Sequence, residues 1–139
     1  MTTLVVSRVA HLATVSADGK PHLVPVVYAY DGKHIYIVLD EKPKHIPPMR
    51  LKRVRNIQAN PNVSLLVDHY VEDWGKLAWV RVDGTARILH RGKAHDAAIK
   101  RLRAKYRQYR NMKIDTRPVI EVTIKRLVEW KAYTDPSGL

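Results

Sequence analysis

The sequence predicts a mainly β fold, a six-stranded β-barrel with flanking helices packed on its outside. Three observations lead there. Six apolar stretches of strand length, rich in Val, Ile, Leu and Tyr, recur along the 139 residues. Two Asp-Gly dipeptides, Asp18-Gly19 and Asp31-Gly32, separate the first three stretches, and such a dipeptide between apolar runs is a strong short-range hairpin signal. Helical periodicity, by contrast, is confined to two main segments.

The elements follow in order. Residues 4–10 read as a short helix. The first strand covers 11–15, the second 22–30 and the third 34–40. The second is almost continuously apolar, which predicts burial on both faces. Pro25 lies inside it and cannot donate to a ladder, so it marks a bulge, an edge or a point of ligand approach. Pro43, Pro47 and Pro48 then break the chain. Residues 49–59 form a helix with Leu51, Val54 and Ile57 on one side, stopped by Asn60-Pro61. A fourth strand covers 63–70, and a polar loop at 71–76 carries Trp74. The fifth strand, 77–89, places Trp79 and Arg81 on one face and Val80 and Val82 on the other, with a bulge or bend at Asp83-Gly84. Residues 92–110 are a helix whose apolar stripe is Ala94, Ala98, Leu102, Tyr106 and Tyr109. The last strand, 119–130, alternates Ile120, Val122 and Ile124 with Glu121, Thr123 and Lys125.

Length and composition predict a single domain over residues 1–139, with enough apolar content (45%) for a modest core. No run approaches membrane-spanning length, and the N-terminus lacks the basic and apolar regions of a secretory signal. The chain has no cysteine, which excludes disulfides and thiolate chemistry and fits a cytoplasmic protein. Net charge is +12 with a pI near 10.1, so the partners to consider are anions: nucleic acid, anionic lipid or a phosphorylated cofactor. A solvated basic surface explains the total equally well.

The placement of charge says more than its sum. Between residues 42 and 55 stand Lys42, Lys44, Arg50, Lys52, Arg53 and Arg55 with no acid among them. Five of these, Lys42, Lys44, Arg50, Lys52 and Arg53, cluster near one predicted helix start. There the helix macrodipole disfavours cations while free backbone N–H groups favour an anion. That pattern predicts an anion site. Trp74, Trp79 and Trp130 are candidates for stacking on a planar ligand or for packing. Trp79 is the strongest, because it shares its strand face with Arg81. The seven histidines have no zinc-ligand spacing, so no metal site is expected. Glycine-rich phosphate loops are absent, no Ser-His-Asp or paired-carboxylate pattern can be argued from spacing alone, and no catalytic side chain is assigned.

Four segments together carry a resemblance. They are Leu12-Ala13-Thr14-Val15-Ser16-Ala17-Asp18-Gly19-Lys20-Pro21-His22-Leu23-Val24-Pro25-Val26, then Arg53-Val54-Arg55-Asn56-Ile57 leading to Asn60-Pro61-Asn62-Val63-Ser64-Leu65-Leu66-Val67, then Trp79-Val80-Arg81-Val82-Asp83-Gly84-Thr85-Ala86, and Ile124-Lys125-Arg126-Leu127-Val128-Glu129-Trp130. In their order and spacing they resemble the pyridoxamine 5'-phosphate oxidase-like flavin-binding split barrels, most closely the branch of probable coenzyme F420-dependent enzymes. The resemblance covers nearly the whole chain. It implies a six-stranded split β-barrel of the FMN-binding type, homodimeric, with FMN or coenzyme F420 in clefts between subunits. It implies a ring lying near Pro25, Val26, Val38, Leu39 and Asp40, and phosphate contacts from Lys44, Arg50, Lys52 and Arg53. Trp74, Trp79 and Arg81 would come from the partner subunit. The chain departs from true pyridoxamine phosphate oxidases in lacking their arginine-rich C-terminal substrate segment, so vitamin B6 oxidation is not expected.

The resulting expectation is a flavin- or deazaflavin-dependent oxidoreductase. It passes hydride to or from a small organic substrate, and the cofactor carries the redox step. The strong positive charge leans slightly toward the longer anionic tail of the deazaflavin. Two alternatives stand beside it. One is a non-catalytic barrel that carries flavin or haem. The other is a nucleic-acid-binding basic barrel, supported by the pI and the basic helix but opposed by charge spread around that helix as in any solvated one. Partners expected are a second copy of the chain and a small-molecule substrate, with neither nucleic acid nor membrane.

Overall fold

The computed structural model describes residues 2–40 and 46–132. Helix α1 (Thr2–Val6) precedes strands β1 (Ala10–Val15), β2 (Pro21–Val26), β3 (Ala29–Tyr30) and β4 (His34–Val38). Helix α2 (Lys52–Ala59) follows, then β5 (Asn62–His69), β6 (Ala78–Leu89), helix α3 (Lys93–Lys105) and β7 (Val119–Lys131). The strands form one antiparallel sheet in the order β2-β1-β5-β6-β7-β4-β3.

That order dictates the shape. β2 and β3 occupy opposite edges of the sheet, yet only Val27 and Tyr28 separate them in the chain. Edge strands of a flat seven-stranded sheet would lie about 29 Å apart, whereas three residue steps reach only about 10 Å. The sheet must therefore curl until its edges meet, as a barrel split along the β2/β3 seam. The described strands number seven rather than six because the expected second strand divides at this corner. β2 is an edge strand with alternating exposure (Leu23 is 66% exposed), which corrects the expectation of burial on both faces. Pro25 takes the edge option among its three.

Tyr106 locks the corner. Its hydroxyl accepts from the Tyr28 backbone N–H (3.1 Å) and faces the carbonyls of Tyr28 and Arg8, each at 2.9 Å, to one of which it donates. The Tyr28 hydroxyl donates to the Leu4 carbonyl (2.5 Å), tying α1 to the same corner.

Turn chemistry holds the hairpins as the sequence predicts. Gly19 and Gly32 have φ of +84° and +98°, a conformation that favours glycine. The Asp31 carboxylate accepts from the backbone N–H groups of Lys33 (2.8 Å) and His34 (2.6 Å). The β6–β7 register shifts between Asp83 and Gly84, the expected bulge. A Cβ at Gly84 would lie 2.2 Å from the Thr123 carbonyl oxygen, so the close strand approach requires glycine there.

Two apolar clusters hold the fold. The barrel interior contains Leu12, Ile35, Leu39, Val54, Leu65, Val82, Ile120 and Val122, with Leu4 closing over it. A second cluster, Tyr36, Val38, Ile99, Leu102, Tyr109 and Ile114, lies between the sheet and α3. Each such side chain contributes about 1.5–3 kcal/mol on burial. Both helices are shorter than expected. Pro48–Arg50 form a separate 3₁₀ turn before α2. α3 ends at Lys105, after which Arg107–Asn111 form another 3₁₀ turn. The break lets Tyr106 turn to the seam, and Arg8 and Arg110 donate to carbonyls at the helix end (Lys105, 2.8 Å; Ala104, 3.2 Å). Among the described residues no helix is long and apolar enough to cross a membrane.

Candidate functional site

A cavity of about 250 Å³ opens beside the seam, lined by Val9, Pro25, Val26, Val27, Ile37, Val38, Asp40, Arg53 and Tyr109. Its walls come from β2, the Val27–Tyr28 corner, β4 and its C-terminal continuation, α2, and the turn after α3. Five residues singled out in the sequence converge here: Pro25, Val26, Val38, Asp40 and Arg53.

Arg53 is the cavity's cation and is only 9% exposed. Burial draws its guanidinium below the usual value and the neighbouring Asp40 carboxylate opposes that shift. An arginine stays charged through such shifts, so the cavity keeps a fixed positive group. Across from it the Tyr109 hydroxyl donates to Asp40 Oδ2 at 2.5 Å. Burial, and then this hydrogen bond, hold the Tyr109 phenol above its ordinary pKa, so it remains a donor. The site thus offers apolar walls, one buried guanidinium and a carboxylate already engaged by a phenol.

The other candidates lie elsewhere. Leu39 is fully buried in the barrel core and does not line the cavity. Arg50 sits exposed on the 3₁₀ turn. Lys52 lines a different hollow with Arg55, Asn56 and Asp18. Consecutive residues on a helix point about 100° apart, and at the start of α2 Lys52 is exposed while Arg53 is buried. Lys42 and Lys44 lie outside the described residues.

Trp74 is exposed in the β5–β6 loop, its indole N–H donating to the Tyr70 hydroxyl at 3.3 Å. Trp79 and Arg81 stand on the outer face of β6, as the alternation predicts, and line a shallow cleft with Leu66 and Asp68. Trp79 stacks on Trp130, with ring centroids 6.3 Å apart.

The strand register connects that outer face to the cavity. Pro25, His11, Leu66, Arg81 and Val128 form one row across β2, β1, β5, β6 and β7. Asp68, Trp79 and Trp130 form a parallel row two residues along. Pro25 therefore belongs both to the cavity rim and to the exposed sheet face. Within one chain, three strand spacings, about 14 Å, separate it from Arg81.

Sequence reasoning missed Val9, Val27, Ile37 and Tyr109 as lining residues. Only Tyr109 carried a signal, its place in the apolar stripe of the helical segment. Among the described residues no group of three or more His, Cys, Asp or Glu stands close enough to hold a metal.

Comparison with known proteins agrees with this architecture. The chain resembles a FAD-binding protein of Mesorhizobium loti at 26% identity, over 91% of this chain and 86% of that one, with a TM-score of 0.68. It resembles an F420 reductase at 22% identity (90% and 94% covered, TM-score 0.63). It also resembles HutZ, the haem storage protein of Vibrio cholerae, at 13% identity (89% and 85% covered, TM-score 0.67). No curated protein matches the sequence significantly. The family model of pyridoxamine 5'-phosphate oxidase matches residues 3–131, from α1 through the last residue of β7. The curled sheet, the seam cavity and that match agree: the chain belongs to the pyridoxamine 5'-phosphate oxidase family.

Proposed function

We propose that the chain is an oxidoreductase that binds FMN or coenzyme F420 in the Arg53 cavity and exchanges hydride with a small organic substrate. The observation that carries this reading is the convergence of Arg53, Asp40 and Tyr109 on a cavity with apolar walls. The residues fit the group. Val26, Val27, Ile37 and Val38 offer a planar ring a dry bed, and Arg53 offers an anionic substituent a buried partner. Asp40, held by Tyr109, offers the ring's polar edge an acceptor. The bound cofactor supplies the redox chemistry, while the chain orients it and excludes water.

A homodimer built on the outer sheet face completes the reading. The cavity, at about 250 Å³, is smaller than most ligand sites, which run to about 300–1,000 Å³. Its rim at Pro25 is continuous with a face bearing exposed Leu66 and Trp130. A second copy on that face would enlarge the site with the partner subunit's Trp79 and the partner subunit's Arg81. Titration of the purified protein with FMN, with coenzyme F420 and with hemin tests the proposal. Quenching of cofactor fluorescence that saturates for FMN or coenzyme F420, and is lost in Arg53→Met, is the expected result. Saturable hemin binding alone, with its Soret band, would identify a haem carrier instead.

A further inference from the structure

The cofactor site leaves most of the chain's charge unexplained. Residues 91–117 hold ten Lys and Arg against two Asp, so this fifth of the sequence carries eight of the twelve net positive charges. Five of those ten cations, Lys93, Lys100, Arg101, Arg103 and Lys105, lie on α3. α3 packs through His95, Ala98, Ile99 and Leu102, and its opposite side is exposed with Lys93, Lys100 and Arg101. Arg107 extends the exposed set into the following turn. Lys93, Lys100, Arg101 and Arg107 make no hydrogen bond or ion pair among the described residues, whereas Arg103 is paired with Asp115 at 2.6 Å. None of the four lines the Arg53 cavity.

What lies between the cations selects the partner. Exposed large apolar side chains occur at ten described positions, including Leu23, Leu66, Trp74 and Trp130, and none falls within 91–117. Ala97, Ala104 and one acid, the exposed Asp96, interrupt the cations on the outward face of α3. A helix that inserts into a lipid surface needs an apolar face to bury, and a protein partner needs apolar or aromatic anchors. A sugar-phosphate backbone needs neither, since it is held by cations alone, in register with phosphates and without base contacts.

We propose that the exposed face of α3, with Lys93, Lys100, Arg101 and Arg107, is a sequence-independent nucleic-acid-binding surface that acts separately from the cofactor cavity. With cations as its ligand groups, the face is expected to bind phosphates, so that affinity follows phosphate number and salt. Four phosphate contacts on a duplex give a log–log salt slope of about −3.6.

The test is fluorescence anisotropy with a labelled, mixed-sequence DNA duplex of about 20 base pairs, read over a range of salt concentrations. Wild-type protein is expected to bind at low salt with a slope between about −3 and −4. The variant Lys100→Glu/Arg101→Glu/Arg107→Glu is expected to lose more than tenfold in affinity and about 3 in slope, with circular dichroism and cofactor titration unchanged. A second variant, Lys33→Glu/Arg55→Glu/Lys125→Glu, changes net charge equally on other exposed sites and is expected to bind almost as wild type does. The proposal is overturned by absence of wild-type binding at low salt, or by equal losses in the two variants, which would make net charge the cause. Tighter binding to phosphatidylserine vesicles than to the duplex would also overturn it.

Discussion

The outer face of β5, β6 and β7 and the outer face of α3 are both exposed and differ in almost everything else. The sheet face carries Leu66, Trp79 and Trp130, and its charges are balanced: Arg81 pairs with Asp83 at 3.2 Å, and Ser64 donates to the same Asp83 at 2.8 Å. The helix face carries unpaired cations and no large apolar group. Apolar surface rewards contact with another protein surface, because water is released from both sides. Unpaired cations reward contact with a polyanion, because counterions are released. On the two proposals above, one small barrel separates dimer contact from polyanion contact by element.

The sharpest way to break this comparison is to make the sheet face charged. Leu66→Arg with Trp130→Glu is expected to convert a dimer to a monomer in light scattering and to lower cofactor affinity more than tenfold, while far-ultraviolet circular dichroism stays native. Persistence of the dimer, or a monomeric wild type, would remove the sheet face as the interface. Next in size is Arg53→Met, which keeps the packing stem but removes the buried guanidinium. Charge-assisted hydrogen bonds contribute about 1.5–3 kcal/mol, so cofactor affinity should fall by about 10- to 100-fold. An unchanged dissociation constant would move the anion site away from this cavity.

A smaller effect separates inward from outward tyrosines. Tyr106→Phe leaves the Tyr28 N–H at the seam without its acceptor, a loss of about 1–3 kcal/mol. Tyr70→Phe, on an exposed loop, should leave thermal stability within about 0.5 kcal/mol of wild type. Calorimetry of both variants would show whether the seam is as important as its hydrogen bonds indicate.

A last effect, set by pH, contrasts Lys105 with its outward neighbours. Its ammonium is buried over the Tyr28 ring, 3.9 Å from the centroid, with no hydrogen-bond partner, and burial lowers its pKa to about 8. The folded value lies below the unfolded one, near 10.5, so the native state binds fewer protons between them and stability rises with pH across that window. Lys105→Met should therefore raise Tm at pH 7, by an amount that shrinks toward zero as pH approaches 10. A pH-independent difference would mean that Lys105 is charged in both states.

The strands, turns and bulge were legible in the sequence because their signals are local. Asp-Gly turns, a two-residue alternation and a glycine at Gly84 each act over a few residues. The division of the second strand was not legible, since the corner is held by Tyr106, 78 residues away. The early end of α3 has the same source. In the site, Pro25, Val26, Val38, Asp40 and Arg53 were reached from the sequence because strand ends and a helix start mark the rim. Leu39 and Lys52 do not line this cavity, because neighbours in sequence are not neighbours on a face. Strand alternation turns Leu39 into the core between Val38 and Asp40, and helix rotation turns Lys52 from Arg53. Tyr109 was hidden because its partner, Asp40, is 69 residues distant.

The split at Val27–Tyr28 also divides local contacts from long-range ones. β1–β2 and β3–β4 are hairpins that close small loops, fast local steps. The Tyr106–Tyr28 contact that ties the seam spans 78 residues, as long-range as the β4–β7 pairing. An interaction formed after the rate-limiting barrier governs how fast the native state is lost, not how fast it is reached. Tyr106→Phe is accordingly expected to speed unfolding and leave refolding nearly unchanged in stopped-flow kinetics; slowed refolding would place seam closure before the barrier.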